Sequence, residues 1–97
     1  MKKEEENILI DKIKKGDKSL FDKLVIEYSP LVISVIRGIL CNREDAEEIA
    51  QDVFVKAFFS LKKFRGDSSF STWIYRIAYN IIWLYLKQDK RKKFLFR

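Results

Sequence analysis

"FRGDSSFSTWIYRIAYNIIWLYLK", residues 64–87, passes from a polar turn into a long helical pattern whose two sides are built differently. Gly66, Asp67, Ser68 and Ser69 together signal a turn and supply an N-cap for the helix beyond them. From there Phe70, Ile74, Ile77, Ile81 and Leu84 recur at steps of four, three, four and three, the pattern of a buried helix face. Trp73, Arg76, Asn80, Trp83 and Lys87 recur at three, four, three and four. This second stripe mixes rings, an amide and positive charge. It is a poor core and a good surface for nucleic acid, because cations meet phosphates, an amide bonds base edges and flat rings accept unstacked bases. Stacking of one base is worth about 1–3 kcal/mol, and each neutralised single-strand phosphate adds roughly 0.7 to the salt slope. Taken singly, Trp73 and Tyr75 fit better as wedges between neighbouring helices, the usual place of aromatic residues at helical spacing. The interleaving with Arg76, Asn80 and Lys87 favours the surface role for the stripe as a whole. Lys62, Lys63 and Arg65 extend the charge into the preceding loop.

Upstream, the punctuation is helical throughout. Ile8 to Lys15 forms a short amphipathic segment with Ile8, Leu9 and Ile13 on one side, ended by Gly16 as a left-handed terminator. Asp17 is placed to cap the next helix, which carries Leu20, Phe21, Leu24 and Val25 to Pro30, where a kink or restart is expected. Leu31, Val32, Val35, Ile36 and Ile39 continue the stripe past it, with Gly38 inside at some cost. Asn42 is a plausible N-cap for a helix running to about Leu61, with Ala46, Ile49, Ala50, Val53, Ala57 and Leu61 on its buried side. Glu48, Gln51, Asp52 and Val55 fall on its other faces.

With 97 residues, 47% hydrophobic content and no apolar run near the roughly 20 residues of a membrane span, the chain reads as one small soluble domain, residues 1–97. The expected fold is all-α, a compact bundle of four to five helices. There is no histidine and one cysteine, Cys41, which excludes a disulfide framework and the common zinc patterns and fits a reducing, cytoplasmic setting. The Met-Lys-Lys start followed by Glu4, Glu5 and Glu6 has no apolar signal segment and reads as a frayed tip. Paired cysteines, a glycine-rich phosphate loop and a serine with a base partner are all missing. The expectation is a binding protein, not an enzyme, with no cofactor, no metal and no need to be more than a monomer.

The net charge of +6 is unevenly spread: residues 62–97 carry ten basic side chains against two acidic ones, leaving the rest at −2. Glu44, Asp45, Glu47, Glu48 and Asp52 crowd into nine positions without a basic residue. Such polarity suits a polyanion at one end and a second, complementary partner at the acidic helix, or simply an uneven solvated surface.

Three stretches, "GDKSLFDKLVIEYSP", "DAEEIAQDVFVKAFFSLKKF" and "FSTWIYRIAYN", stand in the order and spacing of a known family. They resemble the second conserved region (domain 2) of bacterial sigma factors of the extracytoplasmic-function group, over roughly residues 8–93. The resemblance implies a promoter-recognition and DNA-melting domain that acts with RNA polymerase core. By that likeness the "DAEEIAQDVF" helix docks on the beta-prime clamp helices, with Glu48, Gln51 and Asp52 as polar contacts and Phe54 or Phe58 adding apolar area. The loop from Phe64 to Ser69 resembles the element that captures a base flipped out of the minus-ten sequence. There Phe64 would form a wall, and Arg65, Asp67 and Ser68 would supply hydrogen-bonding groups. Phe64 could equally be a core anchor, and Asp67 or Ser68 a mere cap. Trp73, Tyr75, Arg76 and Asn80 match positions associated with strand separation and with reading the non-template strand.

The chain departs from the family in the apolar run "IIWLYL", residues 81–86, where polar or acidic residues are common. A larger core, a protein surface such as a regulatory anti-sigma factor, or a membrane surface are the three readings of that run. Family members continue into a second helical domain (region 4) that reads the minus-thirty-five element. Here no region 4 domain is expected, and Phe94, Leu95 and Phe96 look like apolar residues without a partner. Lys90 to Lys93 could be a phosphate-binding cluster or a solvated helix end. Two rival functions remain: a helix-turn-helix regulator of duplex DNA, and a helical protein-binding module whose basic end is incidental.

Overall fold

The computed structural model describes residues 1–40 and 42–88; the Lys90–Lys93 cluster and Phe94, Leu95 and Phe96 lie outside the described residues. Among the described residues four α-helices succeed one another: α1 (Lys3–Lys14), α2 (Phe21–Ile39), α3 (Arg43–Ser60) and α4 (Phe70–Gln88), with 3₁₀ turns at Lys18–Leu20 and Leu61–Lys63. Among the described residues there is no strand, so the chain is all-α. Helix α3 packs against both α2 and α4, and α4 also packs against α2. Leu9, Ile10 and Ile13 bring α1 into the same apolar core, whose fully buried members include Leu24, Ile36, Ile49, Val53 and Ile74.

Helix α1 starts at Lys3, five residues before Ile8, and the acidic residues Glu4, Glu5 and Glu6 form its first turn. Carboxylates are favoured there by the helix dipole. Glu6 is buried and accepts a hydrogen bond from the Tyr28 hydroxyl on α2. Burial, then the bond to Glu6, pushes the Tyr28 phenol well above its ordinary value. The buried side of α1 is Glu6, Leu9, Ile10 and Ile13, so Ile8 faces out, contrary to expectation. Gly16 ends the helix as expected, at φ 122°, and closes a Schellman motif: Asp17 N–H donates to the Lys12 carbonyl at 3.1 Å and Gly16 N–H to the Ile13 carbonyl at 3.0 Å.

Two local expectations fail for identifiable reasons. Asp17 makes no side-chain capping bond; its carboxylate accepts from the Ser19 hydroxyl at 3.1 Å, and the chain enters α2 through the 3₁₀ turn. Pro30 does not restart α2, which runs through it. The proline removes the donor for the Ile26 carbonyl, but Pro30 is exposed and Ile26 is 76% exposed, so that carbonyl lies on the solvent side where the loss is cheapest. The Asn42 cap does form, its side-chain oxygen accepting from Glu44 N–H at 3.0 Å and Asp45 N–H at 3.3 Å.

The buried side of α4 is rotated from the expected one. Phe70, Ile74, Ala78 and Ile82, at steps of four, point inward, while Ile77 and Ile81 are half-buried and Leu84 is 56% exposed. Ala78 is wholly buried where a larger side chain would hold α4 away from its neighbours. The apolar run is thereby divided. Ile82 enlarges the core, Tyr85 and Leu86 pack on its edge, and Trp83, 65% exposed, stands in solvent. Among the described residues, no helix is long and apolar enough to cross a membrane.

Candidate nucleic-acid interface

The loop before α4 is built around Phe64. Its N–H donates to the Leu61 carbonyl at 3.0 Å, closing the 3₁₀ turn, and its side chain is only 6% exposed. The ring meets Phe70 edge-on, with centroids 5.6 Å apart and planes at 85°, and lies tilted on Trp73 at 5.1 Å. Phe70 in turn contacts Tyr28 of α2 at 5.0 Å. Phe64 is therefore the core anchor of the loop. Its exposed edge still helps to line a cleft of about 260 Å³ with Lys63, Arg65, Asp67, Ser68, Trp73 and Arg76. The cap of α4 is Ser69, whose hydroxyl oxygen accepts from Thr72 N–H at 3.2 Å. Asp67 and Ser68 are thus not the capping residues. Between Phe64 and Ser69 the backbone turns at Gly66, with φ 81°, a conformation that favours glycine.

Along α4 the mixed stripe faces outward. Arg76, Asn80, Trp83 and Lys87 are exposed at steps of four, three and four, one side of the helix, and Trp73 is half-buried at the end nearest the loop. Lys63 and Arg65 are exposed and line the cleft with Trp73 and Arg76, whereas Lys62, also exposed, borders a separate cavity with Lys14, Lys18 and Phe59. Tyr75 is half-buried and stacks on Tyr79, with centroids 6.5 Å apart and planes at 27°. Tyr79 is exposed at the margin of the stripe, a position that the sequence pattern alone misses; its one-turn spacing from Tyr75 is the signal that points to it.

On α3, Glu48, Gln51 and Asp52 are exposed on one side. The apolar residues expected beside them need correction: Phe54 is 8% exposed and belongs to the core, so it offers little surface. Phe58 is half-buried, its ring edge-on to Phe21 at 5.2 Å. Val55 and Phe59 are exposed instead, Phe59 by 75%, and continue the row Glu48, Asp52, Val55, Phe59 at steps of four, three and four. That periodicity is present in the sequence, but it does not say which of the neighbours Phe58 and Phe59 turns inward.

Comparison with known proteins places this geometry. The Sigma-70 region 2 family matches residues 24–92. The RNA polymerase sigma-H factor of Pseudomonas aeruginosa is 40% identical over 77 residues, covering 79% of this chain and 40% of that protein. The ECF RNA polymerase sigma-E factor of Escherichia coli is 37% identical over 87 residues, covering 90% of this chain and 45% of that protein. The chain thus spans less than half the length of these relatives. A solved structure of an engineered region 2 of sigmaE in complex with GTAAAA superposes with a TM-score of 0.80 at 34% identity, over 88% of each chain. With helices, loop and outward stripe arranged on that same framework, the chain belongs to the Sigma-70 region 2 family.

Proposed function

We propose that this chain recognises and opens the minus-ten promoter element as part of an RNA polymerase sigma factor, with α3 docked on the beta-prime clamp helices. The observation that carries the reading is the continuous outward surface running from the Phe64–Ser69 loop along α4. Its cleft is lined by aromatic rings, cations, a carboxylate and a hydroxyl, which are the groups that hold one unstacked base and its phosphate. In this reading Lys62, Lys63, Arg65, Arg76 and Lys87 meet phosphates of the non-template strand. Trp73, Tyr75 and Trp83 offer ring faces, and Asn80, Asp67 and Ser68 offer polar groups to base edges.

No bond is made or broken. Duplex opening costs a few kcal/mol for each base that leaves the stack. It is offset because the open strand finds partners that the closed duplex cannot reach: a cleft for one base and exposed rings for others, each worth about 1–3 kcal/mol. The polar residues Glu48, Gln51 and Asp52, with Val55 and Phe59, form the surface offered to the clamp helices. The sigmaE region 2 neighbour, determined with GTAAAA, supports a single strand of similar composition as the ligand.

The test is a titration of the chain with single-stranded minus-ten oligonucleotides of non-template sense and with matched duplexes, alongside a pull-down with a beta-prime clamp-helix fragment. Preference for the single strand and retention on the clamp fragment are expected. Preference for duplex without clamp retention would instead mark a helix-turn-helix regulator.

A further inference from the structure

Lys14, the last residue of α1, lies 50 positions before Phe64 in the chain, yet its Nζ donates a hydrogen bond to the Phe64 carbonyl. The same ammonium sits 5.9 Å from the centroid of the Phe64 ring. Between α1 and the loop lies a cleft of about 330 Å³, distinct from the one facing α4; Lys14, Phe64, Arg65 and Ser68 are among its walls. The loop is therefore a partition between two clefts, and its backbone is pinned at two points. One is Ser69, through the cap on Thr72 N–H, and the other is Phe64, through Lys14. The residues between them, Arg65 to Ser68, hang from these two anchors.

We infer that Lys14 is a positioning residue for base capture: it latches the Phe64 carbonyl and so fixes the partition that presents Arg65, Asp67 and Ser68 to an unstacked nucleobase. The inference about capture rests on the function proposed above; the latch itself does not. A charge-assisted bond to a carbonyl holds the peptide in one orientation, and the aromatic packing of Phe64 on Phe70 and Trp73 holds the side chain, so that ring and backbone are fixed independently. A loop ordered before the base arrives loses less freedom on binding. Lys14 is exposed and outside the core, so its replacement leaves the helical packing intact.

The experiment compares the unsubstituted chain with Lys14→Met, which keeps the stem and loses the donor, and Lys14→Arg, which restores one. Backbone NMR relaxation reads the latch: order parameters at Arg65–Ser68 are expected to fall from about 0.85 towards 0.6 in Lys14→Met and to recover in Lys14→Arg. Capture is read by titrating single-stranded GTAAAA and versions in which each base in turn is abasic. Lys14→Met should weaken the intact strand about tenfold, as expected for loss of a charged hydrogen bond, and leave the version lacking the captured base within about twofold. Unchanged loop relaxation in Lys14→Met overturns the latch. Weakening that is equal for every version, with a salt slope lower by about 0.7, overturns the positioning role in capture, since Lys14 would then be a phosphate contact. If the loop loosens while the unsubstituted chain shows no position-specific loss, the latch stands and the base-capture reading is what fails.

Discussion

Arg76 and Asn80 stand one helical turn apart on the same exposed side of α4, and in the proposed function their chemistry gives them different tasks. A guanidinium neutralises phosphate whatever the sequence, whereas an amide has a donor and an acceptor to match against one base edge. Arg76→Ala should therefore weaken all single-stranded oligonucleotides alike and lower the salt slope by about 0.7. Asn80→Ala should leave the slope unchanged and lose about 1–3 kcal/mol of discrimination at one base position. Anisotropy titrations at several salt concentrations, over a set of single-base variants, separate the two; equal behaviour of both variants would mean that Asn80 does not read. Trp73 and Phe64 are different again, since each packs on Phe70 as well as facing the cleft, and truncating either would disturb the loop along with the cleft.

At the level of helices, much is legible in the sequence because the ends are written in local chemistry. Gly16 closes a Schellman motif, Asn42 caps α3 and Ser69 caps α4, and each of these acts within a few residues of itself. Replacing the Asn42 cap by alanine should cost about 0.5–2 kcal/mol in denaturant unfolding, with no loss of binding at the α4 face. The features that stay hidden depend on partners distant in the chain. The rotation of α4 turns on Ala78, a small residue whose burial shows only once α2 and α3 are in place. The early start of α1 reflects Glu6 meeting Tyr28, 22 residues away, and the Lys14 latch spans 50. The burial of Tyr28, together with its bond to Glu6, also gives the contact of α1 with α2 a pH dependence. The phenol is raised in the folded chain, so the stability it contributes is complete below the ordinary tyrosine value of about 10 and is lost as pH climbs from there towards the folded value. Thermal stability between pH 9 and pH 11 should consequently fall more steeply for the natural chain than for Tyr28→Phe, which has no proton to lose. Parallel slopes would show that the Tyr28 proton is held no more strongly in the folded chain than in the unfolded one.

Across the whole molecule the two charged surfaces are borne by separate helices, an acidic row on α3 and a basic stripe on α4 with its loop. Since the two sets of charges are exposed on different helices, they should be separable by substitution even though those helices share a core. Glu48→Lys with Asp52→Lys reverses the acidic row at exposed positions and should reduce retention on the clamp-helix fragment at least tenfold, a loss of about 1.4 kcal/mol or more, while single-strand affinity stays within about twofold. Arg76→Glu should do the opposite, weakening the oligonucleotide and sparing the clamp fragment. Because all three side chains are exposed, the melting temperature of each variant should remain near that of the parent, which circular dichroism checks before binding is measured. Loss of both activities in a variant that is still folded would mean that one surface serves both partners, and a domain that holds polymerase on one helix while it opens promoter with another could not be sustained.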